Sequence, residues 1–322
     1  TEIKHAVTMA RSRKILGPYE IDPENPVLTS YDAPLIQLQR AGHGDLVDTP
    51  EGETYMVHLC GRPLPRRGVC ILGRETCIQK MAWTDDGWLR MQAGGHNPLD
   101  SIPIVVSHND DKVQECFQRD DFENEKLGEQ YQFLRIPLGE ESFSLTERKG
   151  FLRLKGWESL SSFFHQSLIA RRQQAFCYTA ETCVEFEPEN FKMMAGLVCY
   201  YNTQNYHYLR ITHEEGKGKV IGVITCDNYE LGYPAHEEHC IEGWSRCYLK
   251  AEMYYDRLSF FFSDDGNTWI NIGGILDSAI LSDEHCSVGW GFTGAFVGLC
   301  CQDLSGTHKH ADFDYFSYIE RK

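Results

Sequence analysis

The stretch Arg257-Leu258-Ser259-Phe260-Phe261-Phe262-Ser263-Asp264-Asp265-Gly266-Asn267-Thr268-Trp269-Ile270-Asn271-Ile272 reads as two strands joined by a tight turn. Phe260 to Ser263 enter and Thr268 to Ile272 leave; the four residues between them are short, polar and include the glycine that a chain reversal needs. The same grammar continues outward. Tyr55-Met56-Val57-His58-Leu59, Met193 to Tyr201 and Tyr206-His207-Tyr208-Leu209-Arg210-Ile211 are short apolar or alternating runs, and Asp85-Asp86-Gly87 and Gly216-Lys217-Gly218 mark further turns. Only Glu158 to Ala170 has the length of a helix, and its β-rich flanks argue against one. Many short strands without long helices mean a sandwich, a barrel or a propeller.

The 322 residues suit two domains, and 42% hydrophobic content is enough for full cores. A boundary falls at the proline-punctuated Asn97-Pro98-Leu99-Asp100-Ser101-Ile102-Pro103 and the polar Ser107 to Lys112, after which Phe117-Gln118-Arg119-Asp120-Asp121-Phe122 begins a new apolar pattern. The division is therefore residues 1–103, a linker at 104–117, and residues 118–322, the last long enough for a large two-sheet sandwich. The first part is too short for a complete propeller, which needs at least four blades.

A net charge of −16 argues against a nucleic-acid partner, which requires a basic face. No uninterrupted apolar stretch is long enough to span a membrane, and Thr1 to Lys14 show no apolar secretory core. The 13 cysteines are odd in number and form no CxxC pair, so they read as reduced core thiols of a cytoplasmic, reducing compartment.

Several motifs then occur in a specific order. Ala10-Arg11-Ser12, Gly17-Pro18-Tyr19-Glu20, Asn25-Pro26-Val27-Leu28-Thr29, Gly42-His43-Gly44-Asp45, His58-Leu59-Cys60-Gly61-Arg62-Pro63 and Leu72-Gly73-Arg74-Glu75-Thr76-Cys77-Ile78-Gln79 precede the boundary. Asp120-Asp121-Phe122, Gly291-Phe292-Thr293-Gly294-Ala295-Phe296-Val297-Gly298 and Ala311-Asp312-Phe313-Asp314-Tyr315-Phe316 follow it. Together they resemble glycoside hydrolase family 43, in the β-xylosidase branch that often also has α-L-arabinofuranosidase activity. The resemblance implies an all-β chain: the last blades of a five-bladed β-propeller in residues 1–103, then a concanavalin-like two-sheet β-sandwich that packs against it and closes one side of an axial active site. It implies inverting release of xylose, or arabinose, from the non-reducing end of xylo-oligosaccharides. Inversion uses a general acid and a general base standing roughly 6.5–9.5 Å apart, and this family adds a third carboxylate.

By the same resemblance, the three carboxylates are expected upstream of Thr1, so no residue here is assigned as catalytic acid or base. Glu75 reads as a partner of Arg74 or of another structural group, and Asp32, Asp45 and Asp48 lack motif support. The resemblance implies substrate contacts instead. His43 lies at the pocket floor, contacting sugar or ligating an axial ion, since a neutral imidazole can do either. Arg74 offers a permanently charged fork for sugar hydroxyls and for lowering the pKa of the base. Phe292 or Phe296, four apart and so on one face of an extended strand, lends an apolar ring to the pocket wall. No cofactor is required; a Ca²⁺ at the propeller axis is left open, as is a structural cation between Asp312 and Asp314 on an otherwise ordinary terminal strand. Expected partners are the oligosaccharide, the absent blades in cis or in trans, and further copies of the chain. An unaccompanied propeller fragment exposes an open sheet edge, so dimerisation or aggregation through the first hundred residues is expected. The rival reading is a carbohydrate-binding or assembly module without catalysis.

Overall fold

The computed structural model describes residues 4–103, 118–234, 238–286 and 291–321. The chain forms two compact units, residues 1–114 and 115–322. The expected linker, residues 104–117, lies outside the described residues.

In the first unit β1 (Gln39–Asp48), β2 (Thr54–Gly61), β3 (Glu75–Trp83) and β4 (Leu89–Met91) make a four-stranded antiparallel sheet in chain order. Such an up-and-down sheet is the repeating blade of a propeller. Two ladders precede it, Ala6–Val7 with Leu28–Thr29 and Ala10–Arg11 with Glu20–Ile21. Val27 and Leu28 share one buried cluster with Ala41, Met56, Met81, Leu89 and Met91, so ladder and blade have a common core. The β3–β4 turn closes as its sequence suggests: Gly87 takes φ 82° and the Thr84 hydroxyl accepts from the Trp88 amide at 2.9 Å. β1 is a terminal strand of this sheet, and Leu46 and Val47 on it are 46% and 47% exposed.

The second unit supplies β5 (Tyr131–Gln132), β6 (Phe143–Ser144), β7 (Leu152–Lys155), β8 (Ser167–Arg172), β9 (Cys177–Glu185), β10 (Met193–Asn202) and β11 (Asn205–Glu214). It continues with β12 (Gly218–Asp227), β13 (Glu230–Gly232), β14 (Cys247–Tyr254), β15 (Arg257–Ser263), β16 (Ile270–Asp277), β17 (Phe296–Asp303) and β18 (His310–Glu320). One antiparallel sheet runs β5-β8-β17-β10-β11-β12-β13 and the other β6-β7-β18-β9-β14-β15-β16. Between them lies the main core, with Leu197, Leu209, Ile221 and Leu299 from the first sheet against Tyr178, Leu249, Phe260 and Phe313 from the second. The first sheet also buries part of its outer face: Val198, Tyr200, Tyr206, Tyr208, Ile224 and Cys300 form a second cluster with Leu160. That double burial explains why Met193 to Tyr201 reads as a continuous apolar run instead of alternating.

The hairpin of residues 257–277 forms as read, β15 against β16. Its turn is held by Asp265, whose carboxylate accepts from the amides of Thr268 and Asn267, both at 2.8 Å, and from the Ser263 hydroxyl at 2.9 Å. These bonds to the charged form pull the Asp265 pKa down to about 2. Glu158 to Ala170 is not helical: residues 158–166 loop back, with the Glu158 amide donating to the His165 carbonyl at 2.9 Å, and β8 follows. Only one 3-10 turn, Ser278–Leu281, is helical among the described residues.

Candidate functional site

In the first unit the Gly-His-Gly motif sits where β1 loses register with β2, between Gln39 and Gly42 and again between Gly42 and Asp45. Bulges of this kind re-aim a side chain. Arg40 and His43 take positive φ, 59° and 53°, a conformation uncommon outside glycine. The flanking glycines are required by close approach. A Cβ on Gly42 would lie 2.6 Å from the His5 ring, and one on Gly44 would lie 2.9 Å from Met56 Sδ. The His5 ring is itself fixed, Nδ1 donating to the Arg40 carbonyl at 2.9 Å. The motif thus presses the backbone onto the preceding ladder and leaves His43 exposed.

Arg74 follows Gly73, which bends the chain at φ 68°, and is half-buried just ahead of β3. Its neighbour Glu75 is held by Arg62, Nη2 to Oε1 at 2.7 Å and Nε to Oε2 at 2.9 Å. The other carboxylates singled out from the sequence are also engaged. Asp48 accepts from the Thr54 hydroxyl at 2.6 Å and Asp45 from the Leu46 amide at 2.9 Å. Asp32 accepts from His96 Nε2 at 2.6 Å and Asn97 Nδ2 at 2.9 Å, and the bond from His96 leads in lowering its pKa. Among the described residues no group of three or more His, Cys, Asp or Glu side chains could hold a metal, at His43 or elsewhere.

In the second unit Phe292 and Phe296 line one cleft of about 430 Å³. They do not share a strand face, as their spacing suggested. Phe296 begins β17, while Phe292 lies in the loop before it, and Gly294 at φ 72° turns the chain between them. Phe292 is 49% exposed, whereas Phe296 is half-buried against the outer-face cluster. Sequence reasoning missed the groups opposite. Tyr200, Tyr201 and Asn202 close the cleft from the end of β10, with Arg135 beside them. Tyr201 donates to Asp283 Oδ1 at 2.7 Å, and the Tyr200 hydroxyl is buried without a partner. An aromatic pair ending a strand just before the Asn202–Asn205 turn was the available signal.

Asp312 is not a cation ligand. It is 5% exposed on β18 and accepts from Arg153, Nε to Oδ1 at 2.7 Å and Nη2 to Oδ2 at 2.8 Å, and from Arg148 Nη1 at 3.0 Å. Burial pushes its pKa up, but the two guanidinium groups outweigh it and the net shift is downward. The terminal-strand reading of this segment holds, with an ion pair in place of a metal.

Two family descriptions match. Residues 1–89 match "Glycosyl hydrolases family 43" and residues 119–319 match "Beta xylosidase C-terminal Concanavalin A-like domain". The chain is 42% identical over 335 residues to a β-xylosidase of Bacillus subtilis (strain 168), covering 100% of this chain and 62% of that protein. It is 32% identical to a non-reducing end α-L-arabinofuranosidase of Bacteroides ovatus, covering 99% of this chain and 58% of that one. The crystal structure of xylan β-1,4-xylosidase from Bacillus halodurans C-125 superposes with a TM-score of 0.93 at 45% identity, covering 98% of this chain and 60% of that one. The chain spans about three-fifths of the length of these relatives. With a propeller blade in one unit, a two-sheet sandwich in the other and both family descriptions matched in order, the chain belongs to glycoside hydrolase family 43 and carries that family's β-xylosidase C-terminal domain.

Proposed function

We propose that the chain is the C-terminal portion of a glycosidase that releases xylose, or arabinose, from the non-reducing end of xylo-oligosaccharides with inversion. The observation that carries the reading is the continuous match to a β-xylosidase over the whole chain, through both units. His43, Arg74, Phe292 and Phe296 are assigned to substrate contact. The general acid, the base and the third carboxylate are assigned to blades outside these 322 residues. In support, Glu75, Asp32, Asp45 and Asp48 each already accept a hydrogen bond within the first unit. Those blades, in the same polypeptide or a separate one, and further copies of the chain are the partners we infer. A reducing, cytoplasmic setting belongs to the same reading, supported by free thiols at all twelve described cysteines.

The test is hydrolysis of aryl β-xyloside and aryl α-arabinofuranoside by the 322 residues alone and by the protein with its upstream blades. The anomer of the first-formed sugar is followed by NMR. Turnover only with the blades, with α-xylose appearing first, is expected. Turnover by the 322 residues alone overturns the assignment of the carboxylates, and β-xylose first overturns inversion. Sugar binding without turnover in either form would leave the carbohydrate-binding reading in its place.

A further inference from the structure

The outer face of the first sheet carries a second cleft, remote from Phe292 and Phe296. It encloses about 730 Å³ and is lined by Phe191, Met194, Arg210, Thr212, Tyr233 and Glu238, among others. Met194 and Tyr200, which line the two clefts, lie six residues apart on β10, roughly 20 Å along a strand.

Arg210 forms its floor. The residue is 4% exposed, at the middle of β11, and Nη2 donates to Glu238 Oε1. Its Nε and Nη1 are buried and have no partner. Both cross-strand neighbours are glycines, Gly196 on β10 and Gly222 on β12. A Cβ on Gly222 would approach Nη1 to 3.3 Å and Glu238 Cγ to 3.1 Å, so the missing side chain is what lets the guanidinium and the carboxylate lie side by side against the sheet. The three N–H groups on Nε and Nη1 are shielded from water with nothing to accept from them, a cost that is recovered when a ligand does. Above this floor the rings of Phe191 and Tyr233 are 68% and 57% exposed.

Charge narrows the ligand. Arg210 and Lys217 are outnumbered by Glu238, Glu214 and Glu215 on the same cleft, so it offers an anion no net attraction. A hydroxyl-bearing ligand uses everything present: sugar oxygens accept from Nε and Nη1, sugar O–H groups donate to Glu238, and the apolar faces of the rings pack on the aromatic rims. We propose that this cleft is a second, non-catalytic saccharide site that takes one or two units of a neutral oligosaccharide on Arg210 and Glu238. The polyhydroxyl chemistry stands on the cleft itself; the choice of a xylo-oligosaccharide as ligand rests on the function proposed above.

The test is calorimetric titration of the chain with xylotriose, and with cellotriose and inorganic sulfate as alternatives. Phe191→Ala with Tyr233→Ala, both at exposed positions, should weaken xylotriose binding about tenfold without moving the melting temperature. Arg210→Lys should weaken it as well, while Tyr254→Ala, at an exposed position outside both clefts, should leave it unchanged. Cellotriose binding with the same mutational pattern keeps the site and removes only the pentose preference, separating this proposal from the hydrolytic reading. The proposal is overturned by no saccharide binding at 20 mM (on the order of the weakest useful affinity), by preference for sulfate, or by loss of binding in Phe292→Ala alone. It is also overturned if sedimentation shows a dimer that Phe191→Ala with Tyr233→Ala dissociates, which would make the face an interface between copies.

Discussion

Arg62 lays its guanidinium fork across the carboxylate of Glu75, at 2.7 and 2.9 Å, and so commits the residue beside Arg74 to an ion pair inside the blade. Both side chains are largely shielded, 31% and 26% exposed, and a bidentate pair of this kind is worth more than a surface contact. Arg62→Met should lower stability by roughly 1–2 kcal/mol, read by thermal melting, and 1 M salt should narrow the gap to the parent chain. Equal melting temperatures would show the pair to be incidental.

Gly42→Ala should strain the His43 bulge, because the new methyl meets the His5 ring at 2.6 Å. Overpacking of this kind costs roughly 1–3 kcal/mol. Removing the ring supplies the control: in a His5→Ala background the same substitution should cost much less. A cycle with no coupling between the two positions would refute the close-approach explanation.

Phe292 and Phe296 should separate by readout. Phe292 is half exposed, so Phe292→Ala should leave the melting temperature nearly unchanged and raise KM for xylo-oligosaccharides in the protein carrying its upstream blades. Phe296 packs against the outer-face cluster, so Phe296→Ala should also lower stability, by about 1–2 kcal/mol. An unaltered KM in Phe292→Ala would remove it from the substrate contacts.

His207 gives the sandwich an acid limit. The ring is buried, Nε2 facing the Asp277 carbonyl at 3.1 Å and Nδ1 the Thr225 hydroxyl at 2.9 Å. A carbonyl only accepts, so Nε2 carries the proton and Nδ1 accepts from Thr225. Burial lowers the pKa from 6.5 to about 4. The folded value is the depressed one, so the stabilisation is complete above pH 6.5 and is lost as pH falls toward 4. Across that window about 3 kcal/mol should disappear, and His207→Gln should flatten this part of the melting profile. A parent profile flat between pH 7 and 4.5 would contradict a neutral buried ring.

Cysteine labelling should follow burial. Cys240 is exposed, whereas Cys199, Cys300 and Cys301 are buried, and burial pushes the Cys199 and Cys300 thiols up to about 12. A maleimide applied to the folded protein and mapped by peptide mass should mark Cys240 within minutes and reach Cys300 and Cys301 only in denaturant. Early labelling of the adjacent pair would mean that β17 opens locally.

Strand positions and turns were legible in the sequence because they depend on neighbours a few residues apart. A short apolar run bounded by turn residues marked Arg257 to Phe262, and Asp264 to Asn267 carried side chains that close their own turn. His43 was singled out by the resemblance of its motif to the family and not by local chemistry; the close approach that demands both flanking glycines shows only in the folded chain. Partner choice was not legible. Asp312 joins Arg148 across 164 residues and Arg153 across 159, and Phe292 comes to line the same cleft as Phe296 through the turn at Gly294. Local chemistry along the chain determined which residues extend and where they reverse. Only the tertiary structure decided which side chains face each other, because pairing depends on strand order and register, and these are settled when both faces of the sandwich bury their apolar surface together.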